Sequence, residues 1–409
     1  MAKGSMIDAI TYYTTKDPTK IVDLELKGDP GSDTNPYCVE DYEDLISTQY
    51  KYNYMLVSDI NFEKYFKKKY GLGWNNYSSG VVRLTVIKFN TLFDFNGYAF
   101  HNLIFKNYNA YKSSAQIHGS SILFACDTPQ TRETPEIYVK KLKITNCVFS
   151  ESYFTNNSLC LISCGRRKAS SYELNIGYFN FIEPEINLYF SNDFVEATAA
   201  NLGIFSWLLP DPNCITGVDI SSGYSNPSES IKIFDAIIKI SGKFYDYTSS
   251  LDMISGLIYR GSNGGWAMYY NTTIILNEPV IKLRTQTFAD LSMMNVGLID
   301  NLHITGKVTL RPESESRNSF TLLGTRTSRT NTVFFDAEIV NDSDIPITLN
   351  YYNTSPAGVV INKDKIKAEN NVTLTCSNSD NEKYLLTTEQ LKDRDLLEEL
   401  NFLRFGLEE

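Results

Sequence analysis

The chain has 409 residues, of which 42% are hydrophobic, 21% charged and 13% aromatic. This apolar content can fill a large core, so extensive disorder is excluded. The 38 basic and 48 acidic residues give a net charge of −10, which argues against a nucleic-acid-binding protein because phosphate neutralisation needs clustered Lys and Arg.

The N-terminal region is polar and precedes a short helical pattern. Residues 1–35 include the turn-forming stretch Asp29-Pro30-Gly31-Ser32 and are predicted to form an arm. No basic segment followed by a long apolar one opens the chain, so we expect no secretory signal. No run of ~18 apolar residues occurs, so we expect no membrane insertion. The periodicity of residues 39–47 predicts a short helix that caps the following domain.

Residues 36–375 have the composition of β-strands. Short runs of Ile, Val, Phe, Tyr and Thr alternate with Asn, Ser, Asp and Gly, a pattern typical of strands and turns. The clearest runs are 81–89, 137–149, 231–240, 272–283, 296–310 and 332–340.

These runs share a sequence pattern in which apolar residues flank an Asn, Asp or Gly, as in 100–105 and 144–149. Asn, Asp and Gly tolerate the left-handed backbone of a bend. One coil of such strands cannot bury its apolar face alone, so the pattern predicts an all-β parallel β-helix, a solenoid of stacked coils. An antiparallel β-sandwich is the alternative. The predicted bend residues are Asn102, Asn146, Asp235, Asn277, Asp300 and Asp336.

The last segment, residues 376–409, is predicted to be a C-terminal cap or an oligomerisation helix. Thr387 and Gln390 have the spacing of a capping box, which marks the start of a helix over 388–405. Leu391, Leu396, Leu400 and Leu403 lie broadly on one side of that helix, which favours contact with the last coil or with a neighbouring subunit.

The chain has few residues that bind metals or act as nucleophiles. Seven Cys lack CxxC spacing and only three His occur, so we expect no metal site, no cofactor and no structural disulfide. GxSxG, P-loop and GxGxxG motifs are absent. Asp235, Asp300 and Asp336 are interpreted as turn formers. We therefore expect no hydrolase or lyase activity.

Aromatic residues form the candidate ligand-binding group, because Tyr and Trp offer a rigid apolar surface with a polar handle for sugars. The alternative is that they belong to the core or to a subunit interface. The candidates are Trp207, Tyr245, Tyr247, Trp266, Tyr269 and Tyr270.

Three segments carry a family resemblance. They are Asp44-Leu45, the stretch 54–62 (YMLVSDINF) and the stretch 93–105 (FDFNGYAFHNLIF). Together they resemble the opening of right-handed parallel β-helix proteins of phage fibres and spikes and of bacterial surface adhesins. Phe95 departs from that pattern, which has Gly there. The C-terminal stretch from Leu386 to Asp393 also resembles the tails of phage virion proteins.

The resemblance implies a phage virion structural protein, a fibre or spike that adheres to host-surface glycan. Its implied location is the virion, its implied partners are other virion proteins and host glycan, and its implied assembly is a homo-oligomer, most simply a trimer. The arm of residues 1–35 would then dock to the rest of the particle. Two alternatives stay open: a glycan depolymerase on the same scaffold, and a bacterial surface adhesin.

Overall fold

The computed structural model describes sixteen stretches of the chain. They are residues 29–65, 85–106, 118–127, 136–150, 154–155, 158–167, 179–190, 197–198, 202–206, 230–245, 266–283, 287–290, 296–312, 314–325, 332–353 and 358–400.

Strands make up most of the described chain, as the all-β prediction requires. They are β1 (Tyr37–Val39), β2 (Tyr54–Leu56), β3 (Ile60–Asn61), β4 (Thr85–Phe89), β5 (Leu92–Asp94), β6 (Phe100–His101), β7 (Ile104–Lys106), β8 (His118–Asp127), β9 (Ile137–Lys140), β10 (Lys143–Ser150), β11 (Phe154–Thr155), β12 (Ser158–Arg167), β13 (Phe179–Ile182), β14 (Glu185–Phe190), β15 (Ala197–Thr198), β16 (Leu202–Ser206), β17 (Ser230–Phe234), β18 (Ile237–Tyr245), β19 (Trp266–Leu283), β20 (Thr287–Asp290), β21 (Val296–Pro312), β22 (Ser319–Thr325), β23 (Thr332–Val340), β24 (Ile347–Asn353), β25 (Gly358–Asn362), β26 (Val372–Cys376) and β27 (Leu385–Leu386).

The helices are short. Helix α1 (Tyr42–Ile46) begins at Asp41, whose side chain accepts a hydrogen bond from the backbone N–H of Asp44, an ordinary N-cap. Helix α2 (Arg394–Glu399) begins at Asp393 in the same way. Single 3₁₀ turns cover Lys363–Lys365, Ala368–Asn370, Ser379–Tyr384 and Gln390–Lys392. None of the helices in the described part of the chain is long and apolar enough to cross a membrane.

The C-terminal helix is shorter than the sequence predicts, although its capping box is confirmed. The N–H of Gln390 donates to Oγ1 of Thr387, and the N–H of Thr387 donates to Oε1 of Gln390. This box opens only a 3₁₀ turn, because Asp393 then adopts an extended backbone and caps α2 separately. At the other end, Val39 belongs to β1 instead of the predicted helix.

All pairings between the described strands are parallel, which excludes the antiparallel sandwich for these residues. Seventeen strands form one large sheet. Its first run of neighbours is β1, β2, β5, β9, β13, β17, β19 and β21; its second is β3, β6, β10, β14, β18, β19, β21, β23, β25 and β27. Two four-stranded sheets, β16-β12-β8-β4 and β20-β22-β24-β26, and the pair β11-β15 complete the strands described.

Inward side chains of successive strands stack into one core. In the N-terminal half the core is rich in phenylalanine, and the ring of Phe124 lies 6.0 Å from Phe93 and 5.8 Å from Phe181 in edge-to-face contacts. Phe95 is fully buried beside Phe100, so the departure from the family pattern adds an aromatic ring to the core. Aromatic pairs of this kind stabilise a core beyond the area that they bury.

Half of the six predicted bend residues have the left-handed backbone that the prediction requires. Asn102, Asn146 and Asp235 have φ near +57°. At two others the left-handed residue is the next one, Glu278 and Asn301. Asp336 stays within strand β23.

Interstrand hydrogen bonds explain two of these departures. At the predicted Asp300 position, Nδ2 of Asn301 donates to Oδ1 of Asn271 on the neighbouring strand at 2.7 Å, which favours the amide at the bend. Asp336 accepts a hydrogen bond from Nδ2 of Asn362 at 2.8 Å from its extended position. The shared sequence pattern therefore marks bends, but contacts across strands determine which residue adopts the left-handed conformation.

Candidate functional site

The structure spreads the predicted aromatic group along the sheet. Tyr270 stacks on Phe234 with a centroid distance of 4.8 Å and an interplanar angle of 9°. Trp266 pairs with Ser230 at the start of β19, and Tyr269 pairs with the buried Ile233. Tyr245 pairs with Lys282 near the far end of β19. Trp207 and Tyr247 lie outside the described residues.

The stack of Tyr270 on Phe234 leaves less aromatic surface for a sugar than two separate rings would. Their centroid distance matches the spacing of neighbouring strands, so the rings form a short ladder that supports strand pairing. Beside it, Nδ2 of Asn271 donates to Oδ1 of Asp235 at 3.1 Å. The pairs Phe234–Tyr270 and Asp235–Asn271 therefore form a side-chain ladder at a bend.

A second surface combines polar groups with an exposed aromatic ring. Along β10, β14 and β18 the side chains alternate between buried and partly exposed, as expected where one face meets the core. We call the polar residues and Tyr189 of this outward set, together with Asp59 and His101 from the preceding strands, the polar face. It consists of Asp59, His101, Lys143, Thr145, Glu185, Asn187, Tyr189 and Lys239.

Strand register brings the polar face together. Thr145 pairs directly with His101, and Glu185 pairs with Lys143. Asn187 pairs with Lys239 on the next strand. Because the pairing is parallel and the side chains alternate, residues far apart in sequence form rows across the sheet.

A carboxylate between two ammonium groups occupies the middle of the polar face. Glu185 lies 3.2 Å from Nζ of Lys143 and 3.3 Å from Nζ of Lys239. Burial alone would raise the pKa of Glu185, but the hydrogen bonds and charges of both lysines lower it below its usual range. The carboxylate therefore holds both lysines in place across three strands.

Tyr189 provides the exposed ring of this face. It is 43% exposed, and the inward neighbours Leu188 and Phe190 are buried. Asn187 lies two residues before it, and Oδ1 of Asn187 is buried and accepts no hydrogen bond from any residue that the structure describes. A buried polar atom without a partner is uncommon in native structures and calls for a functional or ligand-related explanation.

At the N-terminal edge of the polar face, a chain of hydrogen bonds joins three side chains. Nε2 of His101 lies 3.2 Å from Oδ2 of Asp59, and Nδ1 of His101 is hydrogen-bonded to Oγ1 of Thr145. The second carboxylate oxygen of Asp59 accepts the backbone N–H of Ala99 at 2.8 Å. The order carboxylate, imidazole, hydroxyl is that of a nucleophile activated by a base.

Sequence reasoning missed the polar face. Asp59, His101 and Thr145 lie on three different strands or strand edges, and no spacing rule joins them along the chain. Asp59 and His101 do fall within the two stretches that carry the family resemblance. That resemblance, combined with strand register, is the signal that could have paired them.

Comparisons with models of known families, with curated proteins and with solved structures gave no match to this chain. Among the described residues, no group of three or more His, Cys, Asp or Glu side chains is placed to hold a metal ion.

Proposed function

We propose that the chain is a right-handed parallel β-helix protein that binds glycan on its polar face. Parallel pairing in long runs supports the solenoid: Val139 pairs with Phe181, and Phe181 pairs with Ile233, all three buried. Each step advances along the chain while it keeps the inward face aligned, which is how stacked coils share one core.

The observation that carries glycan binding is the exposed Tyr189 ring beside amide, carboxylate and ammonium groups. Tyr offers an apolar face for sugar C–H groups and a hydroxyl for hydrogen bonding. Asn187 and Glu185 precede it on the outward side of the same strand, and Lys239 pairs with Asn187 on the next strand, so donors and acceptors continue the face from the ring. A ligand rich in hydroxyl groups fits this mixture better than an apolar one.

The setting that we propose for this binding is the virion of a phage, where the chain would serve as a fibre or spike and contact other virion proteins. The support is the resemblance of stretches 54–62 and 93–105 to such proteins. A homotrimer would present three identical glycan sites, and several linked sites raise the overall avidity without any new contact.

The test is binding of purified full-length protein to an array of bacterial surface polysaccharides, followed by titration of any glycan retained. Replacing Tyr189 by Ala should weaken binding about fivefold, since one aromatic contact contributes about 1 kcal/mol. Tyr189→Phe should retain most of the affinity, because it keeps the ring.

Tyr270→Ala is the matched control, since it removes a tyrosine ring on another part of the same sheet. It should leave glycan affinity unchanged, because that ring stacks on Phe234. If Tyr270→Ala lost affinity for the glycan while Tyr189→Ala kept it, the glycan would bind at the aromatic group predicted from sequence. Absence of binding to every polysaccharide would contradict the glycan proposal.

A further inference from the structure

The hydrogen-bonded chain of Asp59, His101 and Thr145 has a defined proton order. An ionised carboxylate only accepts hydrogen bonds, so Nε2 of a neutral His101 must carry the ring proton toward Asp59. Nδ1 then has the free lone pair and accepts the hydroxyl proton of Thr145. The imidazole is thus held in the tautomer of a general base aimed at a hydroxyl.

From this geometry we propose that Asp59, His101 and Thr145 form a hydrolytic site for acyl esters. Thr145 is the nucleophile, His101 is the general base and acid, and Asp59 positions the imidazole. This activity goes beyond glycan binding, and it replaces the expectation from sequence that the chain has no hydrolase activity.

The backbone fixes all three groups. His101 and Thr145 are directly paired residues of β6 and β10. Asp59 precedes β3, which pairs with β6 on its other side, and the N–H of Ala99 holds its carboxylate. Catalytic groups on paired strands keep their geometry better than groups on loops.

The site is open to a substrate. The side chain of His101 is 32% exposed and that of Asp59 is 56% exposed. The side chain of Thr145 is partly exposed as well, so among the described residues an ester carbonyl can approach its hydroxyl from solvent.

Donors for the developing oxyanion lie beside the nucleophile. Asn102 and Asn146 follow His101 and Thr145, and both have a left-handed backbone. Nδ2 of Asn146 donates to Oδ1 of Asn102 at 2.5 Å, which fixes both amides. Within the described residues Nδ2 of Asn102 donates no hydrogen bond, and we assign this amide as the donor to the tetrahedral oxyanion.

The reaction balances without any further reagent except water. Oγ1 of Thr145 attacks the ester carbonyl carbon while its proton passes to Nδ1 of His101. The tetrahedral intermediate expels the alcohol, which takes that proton, and leaves an acyl ester on Thr145. His101 then removes a proton from water as its oxygen attacks the acyl carbon, and the second tetrahedral intermediate collapses with release of the acid while the imidazolium returns that proton to Oγ1 of Thr145.

The substrate class follows from the neighbouring surface. Thr145 lies along β10 between Lys143, which pairs with Glu185, and Val148, which pairs with Tyr189, so a glycan bound along this face would present its O-acyl groups to Thr145. The choice of O-acylated glycan rests on the proposed function, whereas cleavage of a small ester does not.

The first experiment measures hydrolysis of p-nitrophenyl acetate by full-length protein. Thr145→Val keeps the branched shape of the side chain and should reduce kcat/KM by about 100-fold or more, the usual contribution of such a nucleophile and base. Thr305→Val is the matched control, since Thr305 is a partly exposed residue of strand β21 in the same sheet. It should hydrolyse the ester as the wild type does.

A fluorophosphonate probe gives a readout besides turnover. Mass spectrometry should find the phosphonyl group on Thr145 of the wild type and none on the His101→Asn variant. Equal hydrolysis by wild type and Thr145→Val, or a wild-type rate no higher than that of buffer, would overturn the proposal.

Asp59→Asn tests the positioning role. It should lower kcat at unchanged KM and shift the imidazole ¹⁵N resonances away from the Nε2–H tautomer, which a merely structural residue would not do. Cleavage of p-nitrophenyl acetate without acetate release from O-acetylated polysaccharide would overturn only the glycan substrate. The Tyr189→Ala binding result judges the proposed function independently.

Discussion

The bends at Asn102 and Asn146, in the early strands of the large sheet, differ from the bends at Gly242 and Gly306, in its later strands. Asn102 and Asn146 adopt the left-handed conformation and join their side chains across strands. Gly242 and Gly306 adopt larger positive φ values of 94° and 99°, where backbone of the neighbouring strand leaves no room for a side chain. Left-handed bends in this sheet are thus stabilised either by amide side chains joined across strands or by close backbone contact, and the later strands contain both kinds, since Asn271 and Asn301 are also joined.

The outer faces of the two halves differ as well. In the early strands the outward residues are polar, as at His101 and Thr145. In the late strands Phe334 and Val360 point outward and are buried by Leu386 and Leu391. The C-terminal segment of the chain therefore covers an apolar outer surface, whereas the side chains of the polar face are at least partly exposed among the described residues.

The largest effect is expected at the glycine bends. A Cβ atom on Gly306 would lie 2.3 Å from the backbone oxygen of Leu276, and backbone in a paired strand cannot move aside. Gly306→Ala should therefore reduce the free energy of unfolding by roughly 3 kcal/mol or more, from strain and disrupted pairing. Urea denaturation followed by circular dichroism measures it.

Gly97→Ala separates the backbone conformation from the contact. Gly97 has a φ of 84°, but a Cβ there would meet nothing within 4 Å. We expect a loss of about 1 kcal/mol, the cost of a left-handed alanine. Equal losses in the two variants would show that the strand beside Gly306 can relax, and the contrast between the two kinds of bend would weaken.

Composition and periodicity predict the strands well, because the apolar residues within each run show which side chains of that strand are buried. The predicted run 332–340 coincides with β23, and the predicted run 272–283 lies within the longer β19. The helices are shorter than the sequence predicts. Periodicity shows which side chains are apolar, but it does not show where a residue with extended backbone, such as the N-cap Asp393, interrupts the helical pattern.

The site was harder to predict for a physical reason. Polar rows across a parallel sheet depend on register, and register is set by bulges and bend residues that a single sequence does not reveal. The pairing of Thr145 with His101 is such a row. An aromatic residue such as Tyr270 is conspicuous in sequence, yet its stacking on Phe234 appears only when strands are paired.

An intermediate effect is expected where the C-terminal segment covers the late strands. Leu391 is buried against Phe334, Val360 and Leu386. Leu391→Asp should reduce the free energy of unfolding by about 2 to 3 kcal/mol, because a charge replaces a buried leucine. Released segments would expose the apolar surface, so light scattering should show an increased mass.

Ile237→Asp is the control, since Ile237 lies in the same outward row, between Glu185 and Thr273, but is already 40% exposed. It should change stability and mass little. If Leu391→Asp instead converts an oligomer to monomers, the segment joins subunits, as the sequence allowed, and the contrast between a self-covered half and an open half would be wrong.

The smallest effect concerns pH and is confined to the late strands. His303 stacks on Phe334 at 5.0 Å, and burial lowers the pKa of His303, with the carboxylate of Asp336 opposing part of that shift. The unfolded chain, with an ordinary pKa near 6.5, therefore takes up the proton at higher pH than the folded chain does. The His303 contribution is fully present above that value and is lost as pH falls toward the lowered folded pKa. We expect a loss below about 1 kcal/mol, since the group is partly exposed and screened.

Urea denaturation of the wild type and of His303→Gln between pH 7.5 and 5 measures this loss. Glu185 and Asp342, whose pKa values are also lowered, act at more acidic pH. Parallel pH profiles for the two proteins would contradict the assignment and would leave the late strands without a titrating group in this range.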